Sequence, residues 1–294
     1  MCNKVSYDTN NAFRYLIKNA ANSEKMGQLH EQYSLWRENE PGRFMKEPKR
    51  AELQRFFSLG NENAALPVLL QGASGPRLAQ LTWGFIPNWR SDRPKDDPLK
   101  AVDRANKGLE IGRKTWNSAS ETMFDDEKPT WRDSAHDRRC VIVLEGYFEF
   151  HYQDEVRYPF YISPADGDCI AVAGLWDIAT INDEEHLTCA ILTQEADETL
   201  QQINNGGVNP YRMPIMLNSE QFDQWLEPIN QGDDAQIEVI NKLMATPSDR
   251  KLEFITVAKN DEYMLENNEQ AHDSFEYKEL VIDLKELNKY LVEG

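Results

Sequence analysis

Trimming of Met1 leaves Cys2 at the head of the chain, since a cysteine is small enough for the initiator methionine to be removed. The α-amine and the thiol of Cys2 then stand on adjacent carbons, a pair that no internal residue offers. A frayed terminus is the plain alternative, because chain ends are commonly unanchored. Four further stretches have residue types that can do chemistry. RRCVIVLEGYFEFH, residues 138–151, reads as a strand. Its alternation puts Glu145, Tyr147, Glu149 and His151 on one face, with Leu144, Phe148 and Phe150 on the other. A carboxylate in so apolar a strand must be paired or functional, because burying a lone charge is costly. WNSASET, residues 116–122, holds Asn117 and Glu121 and reads by itself as a turn or cap. WGFIPNW, residues 83–89, flanks a Gly and a Pro with two tryptophans. Such an aromatic shelf stacks nucleobases or fills a core. NPYRMPIML, residues 209–217, sets Arg212 before Met-Pro and a short apolar run.

The elements that must position these residues follow from periodicity. Strand-like runs rich in Val, Ile, Tyr and Phe appear as LPVLL, LAQLTWGFI, CVIVLEGYFEF, YPFYI, DCIAVAGLWDI, LTCAILT and LEFITVA, separated by polar or Gly/Pro/Asp turns. Short helical pieces fall between them: ADETLQQIN, SEQFDQWL and DAQIEVINKLMA. Asn218, with Gln221 three residues on, caps the second. Strands outnumber helices without regular alternation. The expected fold is therefore α+β, an antiparallel, barrel-like sheet with surrounding short helices. One domain is expected over residues 1–294. Residues 10–57 read as a helical insertion on a core that starts near Leu66, and residues 260–294 as an acidic C-terminal segment.

Composition narrows the class. The chain has 294 residues, 40% hydrophobic and 10% aromatic, which suits a folded globular protein. No apolar run is long enough to cross a bilayer, and the N-terminus has no secretory pattern. The cysteines Cys2, Cys140, Cys169 and Cys189 form no CxxC. The last three sit in apolar runs as expected buried thiols, a pattern that fits the cytoplasm. No histidine has ligand spacing to Cys, Asp or Glu, so neither a metal nor a cofactor is expected. The net charge of −18 counts against nucleic acid as a partner, although sign distribution matters more than the sum. Residues 43–55 and 131–139 are locally basic.

Taken in order, MC, WGFIPNW, NSASET, RRCVIVLEGYFEFH, AGLWD, TQEADETLQQIN and RMPIML resemble the pattern of the SOS response-associated peptidase family, the abasic-site processing proteins with an SRAP domain. The matches run from Cys2 to about Leu217. The resemblance implies a nucleophilic Cys2 that attacks the ring-opened aldehyde of an abasic site in single-stranded DNA. The chemistry is sound on its own terms. An α-amine has a pKa of about 7.7–8.0, against about 10.4 for lysine, so more of it is neutral near pH 7. It condenses with an aldehyde to an imine, and the adjacent thiol closes a thiazolidine with high effective molarity. The resemblance also implies removal of Met1, by the protein itself or by an aminopeptidase. It makes Glu149 the catalytic carboxylate and Asn117 the active-site amide. It gives DNA contacts to Lys4, Trp83, Pro87, Trp89 and Arg212, and the protein is expected to act as a monomer.

Two departures stand out. The family's Asn-Ala-Arg is here Asn117-Ser118-Ala119, so that arginine is absent. The family's histidine falls in LQQINNGGVNPYRMP, which has none; Asn204 takes its place when the segment is aligned from the left, and Pro210 when aligned from the right. Asparagine holds a substrate but does not shuttle a proton at neutral pH. His151 lies on the strand face of Glu149 and is either a substitute base or a solvent-facing strand histidine. Two other readings stay open: a member that grips single-stranded DNA without reacting, and an N-terminal-nucleophile amidohydrolase.

Overall fold

The computed structural model describes residues 4–38, 53–92, 98–259 and 267–289. The chain begins with β1 (Lys4–Asp8), α1 (Thr9–Lys18), α2 (Ser23–Arg37), β2 (Gln54–Leu59), β3 (Ala65–Gly72) and β4 (Gly75–Trp83). It continues through α3 (Pro98–Gly112), β5 (Asn117–Ala119), α4 (Pro129–Asp137), β6 (Arg139–Leu144), β7 (Gly146–Gln153) and β8 (Val156–Pro164). Then come β9 (Ile170–Ile181), β10 (Glu184–Glu195), α5 (Glu198–Ile203), β11 (Arg212–Pro214), α6 (Phe222–Leu226), α7 (Asp234–Ala245), β12 (Leu252–Thr256) and α8 (Leu284–Leu287).

Five of these strands close a barrel. β3 pairs antiparallel with β4 and β6, β6 with β9, and β9 with β10. The ring shuts where β10 meets β4 at Thr188↔Thr82 and Cys189↔Trp83. That last pairing is parallel, as is β5 beside β10, so the sheet is not wholly antiparallel as the sequence suggested. LPVLL and CVIVL lack polar alternation because the barrel wall is covered on both faces. Val141 and Val143 pack with α1, α2 and α6, while Ile142 and Leu144 pack against the second sheet. That sheet is antiparallel, in the order β12-β8-β7-β1-β2. The β7–β8 connection is a two-residue turn at Asp154 and Glu155, with φ of 51° and 64°. Positive φ at both central residues matches the right-handed strand twist, and Asp is among the residues that tolerate it.

Several expectations change. Residues 138–151 do not form one strand: the chain bends at Glu145 and passes from barrel to second sheet. Glu145 leaves the Glu149 face, and its carboxylate accepts from Asn11 Nδ2 at 2.9 Å. Gly146 sits at the bend because a Cβ there would lie 2.6 Å from the Ile162 carbonyl oxygen and the Tyr161 ring. The 10–57 segment is no mere insertion. Phe13 and Leu16 of α1 and Leu29 and Tyr33 of α2 belong to the main core, and β2 is a strand. Within the acidic C-terminal segment, Tyr277, Leu280, Ile282 and Leu284 pack against the core and Leu287 is buried in it.

The basic run at residues 131–139 is no open cationic surface. Arg139 is buried. Its guanidinium donates to the carbonyls of Trp225 at 2.7 Å and His136 at 3.1 Å, and to those of Ala135 and Glu227. It thereby ties α4 and α6 to the barrel. Cys140, Cys169 and Cys189 are buried free thiols, as expected. Burial pushes the Cys169 thiol up to about 12, and Cys140 and Cys189 upward too. No helix among the described residues is long and apolar enough to cross a membrane.

Two glycines separate packing from propensity. Gly146→Ala is expected to cost about 1–3 kcal/mol, because the strand cannot retreat from the Ile162 backbone. Gly27, inside α2, has nothing within 4 Å of a built Cβ, so Gly27→Ala should stabilise by about 0.5–1 kcal/mol. Urea melts of the two variants should shift in opposite directions.

Candidate active site

Glu149 lies on β7 with Tyr147 and His151 on the same face, turned into the space between sheet and barrel, and all three are buried. Burial pushes its carboxyl up to about 7, against the pull of nearby positive charge that includes Lys4. A group so placed exchanges a proton near neutrality, as general acid–base work requires.

His151 is buried, not solvent-facing, because α5 covers it. Its Nδ1 lies 2.8 Å from the Gln202 carbonyl oxygen. A carbonyl only accepts, so Nδ1 is the donor in this pair, which leaves Nε2 as the ring's other nitrogen. α5 is held by its cap: Asp197 accepts from the Leu200 N–H at 2.8 Å. Asn204 ends it, fully buried. Its Nδ2 donates to the Arg212 carbonyl at 2.8 Å, and its own carbonyl accepts from the Tyr211 N–H at 2.7 Å. Asn204 thus braces the loop that returns to β11. The next residue, Asn205, clamps the backbone of Tyr152: Oδ1 accepts from its N–H at 2.7 Å and Nδ2 donates to its carbonyl at 3.0 Å.

Arg212 extends the network toward β5. Its fork donates to both oxygens of Glu121, at 2.7 and 2.9 Å, and to the Thr193 carbonyl at 2.7 Å. That hydrogen bond holds the Glu121 carboxyl below the usual carboxylate range. The arginine expected to meet a phosphate is therefore engaged by a carboxylate from the NSASET stretch. Thr193 Oγ1 in turn donates to the Ser118 carbonyl at 3.3 Å, beside Asn117. Asn117 opens β5 by pairing with Ile191. A continuous set of contacts thus runs from the Glu149–His151 face through α5 and Arg212 to the Asn117 strand.

The aromatic shelf divides. Trp83 is fully buried, and its Nε1 donates to the Trp116 carbonyl at 2.9 Å, fixing the residue before Asn117. Pro87 is also buried. Neither offers a face to DNA, which corrects the expectation for both. Trp89 is partly exposed, with the Arg90 guanidinium 4.2 Å from its ring centre. Its loop is pinned by Asn88, whose N–H donates to Asp177 at 2.7 Å. Asp177 also receives Arg138 at 3.0 Å. Asp177 belongs to AGLWD, but nothing in that motif announces its partner. Lys4 places its ammonium 3.9 Å from the Phe150 ring centre. Cys2 lies outside the described residues. Among the described residues no three His, Cys, Asp or Glu side chains form a metal-binding group.

This arrangement belongs to a known class. The family model for the SOS response associated peptidase (SRAP) matches residues 19–261, and the chain belongs to that family. Among curated proteins it is similar to the abasic site processing protein YoqW of Bacillus subtilis, 26% identical over 202 residues, covering 64% of this chain and 80% of YoqW. It is similar also to the abasic site processing protein YoaM of the same organism, 27% identical over 187 residues, covering 63% of this chain and 71% of YoaM. A crystal structure of a Bacteroides thetaiotaomicron protein shares the fold with a TM-score of 0.64 at 20% identity, covering 93% of this chain and all of that one.

The raised carboxyl has a measurable consequence. From its ordinary 4.5 to about 7, folded Glu149 keeps a proton that the unfolded chain has released. Its contribution to stability is thus present at low pH and lost as pH rises through that window. Glu149→Gln should leave stability near pH 4.5 almost unchanged and raise it at pH 8 by on the order of 1–3 kcal/mol. Urea melts of variant and wild type at both pH values measure the difference.

Proposed function

We propose that this chain processes abasic sites in single-stranded DNA by crosslinking them to Cys2 after Met1 is removed, acting as a monomer in the cytosol as part of the response to DNA damage. The observation that carries the reading is Glu149, buried with its carboxyl near 7, beside the edge of β7 toward which β1 runs. β1 pairs with that edge at Gly146 and Tyr147, and Asn205 holds it at Tyr152. Residues 148–151 lie between. Two residue steps from Lys4, Cys2 is tethered within about 7 Å of it by covalent reach. The names of the curated relatives support the substrate.

The free amine adds to the ring-opened aldehyde. The resulting carbinolamine loses one water to give the imine, and the thiol adds across the C=N bond to close the thiazolidine. Glu149 donates the proton that leaves with the hydroxyl, takes back the one released by nitrogen, and relays the thiol proton to the ring nitrogen as the thiazolidine closes. Asn117 hydrogen-bonds the amine or the opened sugar, as its amide both donates and accepts. Trp89 offers the stacking face beside the lesion. His151 Nε2, on the same face as Glu149, is the second proton acceptor where the family's histidine is replaced by Asn204.

Intact mass after mixing with abasic single-stranded DNA is the test. The wild type should gain the mass of the strand less one water. Cys2→Ala should form no stable adduct and keep the fold, and Glu149→Gln should crosslink about 10²–10⁴-fold more slowly with little change in DNA affinity. A gel shift without adduct would make the chain a non-covalent binder. Turnover of small amides would make it an amidohydrolase.

A further inference from the structure

The loop that returns from α5 to β11 holds a backbone conformation that its sequence does not favour. Tyr211 has φ of 60°, in the left-handed region where a Cβ crowds the following carbonyl oxygen. Among the described residues seven non-glycine residues have positive φ, and the other six are Asn, Asp or Glu. Asn and Asp bond locally through a short polar side chain there; a tyrosine has no such compensation. Glycine occurs in the same loop, at Gly206 and Gly207, but not at 211. The conformation is imposed from both sides of the residue. The Tyr211 N–H donates to the Asn204 carbonyl at 2.7 Å, and the Tyr211 carbonyl accepts from the Ala196 N–H at 2.8 Å. Packing does not account for the choice, since Tyr211 is 46% exposed and Val208, on the same loop, 96%. Strain kept without a packing benefit is a feature of ligand-binding segments.

The position of Tyr211 indicates what it meets. Three contacts follow one another along β10. At Thr188 the strand is tied to the loop of Trp89, whose Ile86 N–H donates to the threonine hydroxyl at 2.8 Å. At Ile191 it pairs with Asn117. At Ala196, just past its end, it is bonded to Tyr211. Along an extended chain Thr188 and Ala196 stand on the order of 25 Å apart. Asn117 is thus placed between two aromatic residues with open surface, Trp89 toward one end and Tyr211 toward the other. A single strand laid along β10 with its lesion at Asn117 reaches both. Every base has a π-face, so an aromatic ring takes whichever base stands beside the lesion. Stacking also suits a chain of net charge −18, because it needs no cation.

We propose that Tyr211 is a stacking platform for the base that flanks the abasic site on the side away from Trp89, so that the lesion is centred between two aromatic contacts. The strained loop holds the ring out for that base. The proposal rests on the function given above.

The probe is a short single strand with a tetrahydrofuran abasic analogue, which has no aldehyde and cannot crosslink. Tyr211→Gly removes strain and ring together. It should raise the urea midpoint and yet weaken binding about five- to hundredfold. The slope of log affinity against log salt should not change, because no phosphate contact is lost. Tyr211→Phe keeps the ring and should bind like the wild type. A second analogue, placed on either side of the first, deletes one flanking base at a time. On the side that Tyr211 serves, the deletion should weaken the wild type by the same factor and weaken Tyr211→Gly no further. Should Tyr211→Gly fail to fold, Tyr211→Asn, which also tolerates the left-handed region, replaces it. If the variant binds as tightly as the wild type, or if deleting either flanking base weakens both proteins equally, the platform alone is overturned. If the wild type neither binds this strand nor crosslinks an aldehyde-bearing one, the proposed function falls and the platform with it.

Discussion

A buried strand must find a partner for each backbone N–H and C=O, and β10 meets that demand with four other strands. On one side it takes β9 along Glu184–Ile191 and then β11 at Thr193–Glu195. On the other it takes β4 at Thr188–Cys189 and then β5 at Ile191–Thr193. The first member of each pair closes the barrel. The second replaces a strand that has ended, and each replacement has a residue of the candidate site, Arg212 on β11 and Asn117 on β5. The site is thus built where the barrel runs out of partners for one of its two longest strands. Arg212 and Glu121, which lies in the turn just after β5, can meet in a bidentate pair because Thr193 of β10 pairs with both β11 and β5 and contributes its carbonyl to the same guanidinium.

Glu149 illustrates the tension between stability and chemistry. A carboxyl wholly removed from water is disfavoured in its charged form, and no folding benefit requires it there. The surrounding structure nevertheless fixes its neighbours from several directions: the Gln202 carbonyl orients His151, Asp197 caps α5, and Asn205 holds the backbone of Tyr152. His151, Asn204 and Asn205 all bond to main chain, which leaves their positions set by the fold. A carboxyl near neutrality can then gain or lose its proton without rearranging the frame around it.

Much of this was legible in the residues, and the failures have definite causes. Barrel strands such as LPVLL and CVIVL announce themselves because cover on both faces demands unbroken apolar runs. The Asn218–Gln221 cap is local, and Gln221 Oε1 does accept from the Asn218 N–H at 2.7 Å. What pattern did not reveal was long-range contact. The alternation through residues 138–151 put His151 correctly on the face of Glu149, but its burial depends on α5, about 50 residues later. The break at Gly146 is invisible because both segments have the same apolar character; only the arrival of β1 and the closeness of Ile162 explain it. Trp83 and Trp89 look equivalent in WGFIPNW, yet one ends a barrel strand and the other follows it into a loop. The resemblance supplied the roles of Cys2, Asn117 and Glu149; composition and periodicity could not have.

The three thiols buried in the core bear on what kind of reagent this protein is toward electrophiles. A sulfur with its proton held tightly is a poor nucleophile and slow to oxidise, and Cys140, Cys169 and Cys189 are all in that condition. They pack like small hydrophobic residues between strands. The chain therefore divides its four thiols into three that are inert filling and that of Cys2. A thiol-directed reagent that reaches the folded molecule meets a selectivity already written into it, because the three core thiols are silenced by packing and not by absence.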